Sequence, residues 1–109
     1  MKVPCLFLDF KSTLKSHQMV HITWRTLSEN HCNYFEIQRS SNNKIWKTLE
    51  LVASIGSYNE SVFYQTKDKP PLNGQSYYRI KAVGKHNEIN YSTINAIYIQ
   101  TKTDNEVAL

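Results

Sequence analysis

Hydrophobic and polar residues alternate with a period of two along most of the chain. Val20, Ile22 and Trp24 alternate with His21, Thr23 and Arg25, which turns one face of an extended segment inward and leaves the other in water. Phe35 and Ile37 alternate with Glu36 and Gln38, and Tyr78, Ile80 and Ala82 alternate with Tyr77, Arg79 and Lys81, giving two more half-buried strands. Leu6 to Phe10, Ile45 to Val52, Val62 to Gln65 and Ile94 to Ile99 are rich in β-branched and aromatic residues and complete a set of seven. Lys44 to Ala53 also fits a helix, because Ile45, Leu49 and Val52 have helical spacing. Strand is preferred there, since Trp46 and Thr48 suit a sheet and no capping residue precedes a helix of adequate length.

Turn formers separate these runs: Ser40 to Asn43, Gly56 and Ser57, Asp68 to Pro71 with Asn73 and Gly74, and Gly84 to Asn87. Their spacing of about a dozen residues is that of an antiparallel sandwich. The pattern predicts an all-β, seven-stranded, two-sheet immunoglobulin-like sandwich over residues 1–100. Trp24, Phe35, Ile37, Tyr78 and Ile80 fall in its core, and Thr101 to Leu109, where alternation stops, reads as a tail or linker.

Composition narrows the class. With 109 residues, 40% hydrophobic and 20% charged, the chain is that of one globular domain, which excludes disorder and a two-domain enzyme. The net charge of +4 is modest and dispersed, so no nucleic-acid partner is expected. No uninterrupted apolar run exceeds four residues, against the ~18 that span a bilayer, so membrane insertion is not expected either. Pro4, Asp9 and Lys11 break the apolar stretch near Met1, so no secretory signal fits there and export would need residues upstream.

Particular residues carry a resemblance. Trp24 on the second strand, the segment Pro71-Leu72-Asn73-Gly74-Gln75-Ser76-Tyr77-Tyr78 and the alternation after it resemble a fibronectin type III domain. In that family a Leu six residues before a Tyr marks the turn whose loop the Tyr hydroxyl caps, and Leu72 and Tyr78 have that separation. Trp24 to Glu29, Tyr34 to Ser40, Trp46, Asp68, Pro71 to Val83 and Tyr91-Ser92 are further similar to the fibronectin-like domains of proteins exported by the type IX route of gliding bacteria. The resemblance spans about Pro4 to Ile99. It implies a secreted or surface-attached architectural module without catalysis. The sequence departs from the family in its turn Gly84-Lys85-His86-Asn87-Glu88 and in having Cys5 and Cys32 where cysteines are not usual.

Candidate chemistry is sparse. In an antiparallel sandwich the start of the first strand and the end of the second share a pole, which brings Cys5 within reach of Cys32. One reading is a disulfide; the other is a small buried hydrophobe at Cys5 and a free loop thiol at Cys32. His31, Cys32, Cys5 and His21 sketch a zinc site, but no C-x-x-C is present, and His17 and His21 on extended chain stand about 13 Å apart. Solvated histidines are the better reading, and no metal or cofactor is expected. Three glycines form no nucleophile elbow, phosphate loop or dinucleotide fingerprint, and the acidic residues are scattered singly, so no enzyme is expected.

The outward stripe of Tyr77, Arg79 and Lys81 neighbours the strand carrying Glu36 and Gln38. Cross-strand pairing on a wet face is the plainer account, and a binding face for polysaccharide or an acidic protein is the sharper one. Trp46 is expected to pack over the edge of the core rather than to form a sugar platform. Asn59-Glu60-Ser61 and Asn90-Tyr91-Ser92 match the glycosylation sequon, a match that an Asn- and Ser-rich chain produces by chance. The sequence thus points to a spacer or presentation module, extracellular or at the cell surface, whose partners are neighbouring domains of a longer chain. The alternatives are a module binding extracellular protein or polysaccharide, and a small cytoplasmic interaction protein.

Overall fold

The computed structural model describes residues 3–16, 18–56 and 60–100, and these form two antiparallel sheets packed face to face. The strands are β1 (Leu6–Ser16), β2 (Met19–Ser28), β3 (Cys32–Ser40), β4 (Lys47–Ala53), β5 (Val62–Asp68), β6 (Gly74–Gly84), β7 (Ile89–Tyr91) and β8 (Asn95–Ile99). The smaller sheet has the order β1-β2-β5; the larger runs β4-β3-β6-β7, with β8 also paired to β6. Every adjacent pair is antiparallel. His17, residues 57–59 and the segment 101–109 lie outside the described residues, and with them the expected tail and the Asn of the first sequon.

Eight strands replace the expected seven because the last one is broken. Lys81 pairs with Tyr91, but Tyr78 pairs with Asn95, so one extra residue is accommodated between the two ladders. Ser92 holds the break to β6: its N–H donates to the Ile80 carbonyl (2.9 Å) and its Oγ accepts the Ile80 N–H (2.8 Å). Two further expectations move. The first strand, read as Leu6 to Phe10, continues to Ser16, because Lys11 to Ser16 extend the pairing with β2 on a wet edge where hydrophobicity is not required. The fourth begins at Lys47 rather than Ile45, since the Asn42 carboxamide takes up the N–H groups of Lys44 and Ile45 in the preceding turn (both 2.9 Å).

The inward positions of both sheets meet in one core. Trp24 stacks on Tyr64 at 5.1 Å between ring centres, and Phe35 from the opposite sheet packs against both, at 5.6 and 5.0 Å. Trp24, Phe35, Ile37, Tyr78 and Ile80 are all buried. Gly74 adopts φ 81° and Asn87 φ 66°, the left-handed conformations that their turns require.

The strand directions fix the geometry of entry and exit. β1 starts and β3 starts at the same pole, where Cys32 lies opposite Gly84 in the ladder; β8 ends beside Gly74 at the other pole. Cys5 and Ile99 therefore stand at opposite ends of the sandwich.

Candidate functional site

Three groups of polar residues stand out, one on the outer face of the larger sheet and one at each pole. The outer face is built by the period-two alternation of β3 and β6. Arg79 is paired with Gln38 and Lys81 with Glu36. The Arg79 guanidinium lies between two aromatic rings, 4.1 Å from the centre of Trp46 and 4.1 Å from that of Tyr91. Its Nε donates to Gln38 Oε1 (2.8 Å). Gln38 Nε2 donates in turn to Glu36 Oε1 and Thr48 Oγ1 (3.2 Å each), and Thr48 Oγ1 donates to Glu36 Oε1 (2.7 Å). Lys81 Nζ approaches Glu36 Oε2 at 3.8 Å. Partial burial between the rings lowers the Arg79 pKa from its ordinary value; the group remains a cation.

Arg79 and Lys81 are thus engaged within the sheet, in a chain of contacts running from β4 to β7. Tyr77 sits one row further along, between Ser40 and Ala96. Trp46 does not cap the edge of the core. It packs on the outer face because Arg79 offers its planar cation there, a pairing that strand periodicity alone does not reveal.

At the entry pole the structure joins Cys5 to Cys32, whose Cα atoms are 5.2 Å apart. Asn90 of β7 holds Cys5 from the other side, donating from Nδ2 to its carbonyl (2.9 Å) and accepting its N–H (3.4 Å). Next to this bridge, in the loop between β2 and β3, lies Glu29, which is fully buried although it is an isolated acidic residue in the sequence. Thr26 Oγ1, Ser54 Oγ, the Gly56 N–H (3.1 Å) and Tyr64 Oη (2.8 Å to each oxygen) all donate to its carboxylate. Burial alone would raise the Glu29 pKa, but the hydrogen bonds from Ser54, Thr26, Gly56 and Tyr64 outweigh it and hold the group below its ordinary value. The Tyr64 hydroxyl is pushed up to about 12, by burial first and then by Glu29. Every group on this list donates, so the arrangement stabilises the Glu29 carboxylate as an anion.

At the exit pole Asp68 of β5 accepts two hydrogen bonds from Arg39 Nη1 of β3 (3.0 and 2.8 Å) and one from Tyr78 Oη of β6 (2.7 Å). The side chains of Arg39 and Asp68 are only 11% and 7% exposed. Burial, then the hydrogen bond and charge of Asp68, push the Tyr78 pKa well up. Tyr78 therefore ties β6 to the last residue of β5 through the Asp68 side chain.

Nothing assembles the sketched zinc site. Both cysteines are in the bridge, and His21 pairs with Gln65 across the smaller sheet at 3.1 Å. Among the described residues no three His, Cys, Asp or Glu side chains group around a common point, and no helix is long and apolar enough to cross a membrane.

The architecture has a solved counterpart. The chain is similar to the sixth fibronectin type III domain of the human fibronectin type III domain containing protein 3, with a TM-score of 0.67 at 13% identity, over 94% of this chain and 92% of that one. The fold is that of a fibronectin type III domain. It is also similar to part of a β-1,2-glucanase from Parabacteroides distasonis, with a TM-score of 0.57 at 17% identity, over 95% of this chain and 14% of the glucanase. No family model and no curated protein matches the sequence. Within the fibronectin type III fold the two poles carry the buried polar clusters and the larger sheet carries the aromatic and cationic face.

Proposed function

We propose that this domain is a non-catalytic spacer in a larger exported or surface-attached protein, holding its neighbours apart along the sandwich axis. The observation that carries this reading is the placement of Cys5 and Ile99 at opposite poles of a body that is tied across its sheets at both ends. A disulfide suits an oxidising compartment. The sequence resemblance to modules of proteins exported by the type IX route supports the same reading, as does the glucanase, in which the similar part is 14% of a longer chain. The test is an immunoblot of fractionated source cells and medium. A band well above 12.7 kDa at the surface or in the medium supports the spacer; a cytoplasmic band at 12.7 kDa overturns it and favours a small interaction protein.

A second reading is a module that contacts glycan or protein through the face around Arg79. The exposure of Tyr91 and Tyr98, at 46% and 65%, beside half-buried Trp46 and Tyr77 favours it. Glycan or protein capture that disappears in Tyr77→Ala and Arg79→Ala, with folding intact, supports this reading; capture that is absent or unchanged refutes it.

A further inference from the structure

We infer that, in a chain under tension, the Cys5–Cys32 bridge takes the β1–β2 hairpin out of the line of force and makes the larger sheet alone carry the load. The inference rests on the spacer reading, since only a domain with neighbours on both sides is pulled from both ends.

The argument is topological. A pull arriving from the N-terminal side reaches Cys5 before any strand begins. Without the bridge it would pass into β1, an edge strand held to the rest of the fold by one ladder, to β2. It would then have to cross from the smaller sheet to the larger one, through side-chain packing and a few hydrogen bonds, before leaving at Ile99 of β8. With the bridge, force passes from Cys5 directly into the start of β3. β3 is an interior strand, flanked by β4 and β6, and β6 is bonded in turn to β7 and β8. Entry and exit then lie in one hydrogen-bonded sheet. The pull is directed along the strands, so the β3–β6 and β6–β8 ladders are sheared with their bonds loaded together. The hairpin keeps its place in the core but bears no axial load.

The bridge also shortens the extended chain. Its ends are 27 residues apart in sequence and 5.2 Å apart across the bridge, which removes about 90 Å from the length released on unfolding.

The test is single-molecule pulling of the whole chain between two handle proteins of known length. Oxidised protein is compared with protein reduced by a dithiol, which breaks the S–S bond, leaves two thiols and closes to a cyclic disulfide itself. The oxidised domain is expected to unfold at higher force, with a length increment about 90 Å shorter than the reduced one. Two variants locate the load without needing the reduced protein to fold. Arg25→Ala removes the Asp9–Arg25 pair between β1 and β2 (2.7 Å) and is expected to leave the oxidised unfolding force unchanged. Ser92→Ala removes the Oγ acceptor of the Ile80 N–H in the larger sheet and is expected to lower it. The inference is overturned if the oxidised increment equals the full chain, or if Arg25→Ala weakens the oxidised domain as much as Ser92→Ala does. Because the measurement is made on the domain alone, it can fail while the compartment test succeeds, and the reverse.

Discussion

Replacing Glu29 by Gln keeps the shape of the side chain and removes its charge. In the native protein four donors, from Thr26, Ser54, Gly56 and Tyr64, converge on the carboxylate. Hydrogen bonds to an ionised acceptor are roughly twice as strong as neutral ones, which are worth about 1 kcal/mol net, so losing the charge assistance on several of them costs about 2–3 kcal/mol. For a domain of this size that lowers the melting temperature by about 10–20 °C. The effect must also depend on pH with a definite sign. The folded-state pKa of Glu29 lies below its ordinary value, so the carboxylate's contribution is complete above the unfolded pKa and is lost as the pH falls through the folded one. The gap between wild type and Glu29→Gln should therefore be full at pH 7 and close on acidification below about pH 4. Urea unfolding of both proteins at pH 7 and pH 3, followed by tyrosine and tryptophan fluorescence, measures it. A gap that stays the same at both pH values, or is absent at pH 7, refutes the account of Glu29 as an ionised knot.

Three other outcomes are expected. Tyr78→Phe removes the hydroxyl donor to buried Asp68 and should cost about 1–2 kcal/mol in urea unfolding at neutral pH, whereas a change within error would mean that Arg39 alone satisfies the carboxylate. Gly84→Ala places a methyl group 2.7 Å from the Pro4 Cβ and 3.1 Å from the His31 carbonyl, next to the disulfide; a loss of about 1–3 kcal/mol is expected, and unchanged stability would show that this pole yields. Protein unfolded without reductant should take up no alkyl groups at Cys5 and Cys32 by mass, and uptake of two would eliminate the bridge.

The sandwich was legible because its strands obey a strict period of two, and a one-residue slip would move Trp24 or Tyr78 from core to water. The break in the last strand was not, because a bulge changes pairing without changing composition; Ser92 looks like any loop residue until its bonds to Ile80 are seen. Hydrophobicity also hides Glu29, which is buried by four partners spread between Thr26 and Tyr64 rather than by any local pattern. A signal was available for part of it: Thr26 and Glu29 have the spacing of a local side-chain hydrogen bond at the end of a strand. Arg79 reads as an outward cation, but the two rings that hold it, Trp46 just before β4 and Tyr91 of β7, are 45 residues apart in sequence, so only the fold could unite them.

The broken last strand has a bearing on how copies of such a domain tolerate crowding. A sheet edge is a template that a second chain can extend, and it is most hazardous when long, straight and apolar. Here β7 has three residues and β8 five, offset from one another at Ser92, so an approaching strand meets no continuous row of donors and acceptors. The opposite edge of the same sheet, β4, carries exposed Lys47, and β1 carries exposed Lys11 and Lys15. At these three edges, copies held at high local concentration would repel or misfit instead of pairing strand to strand.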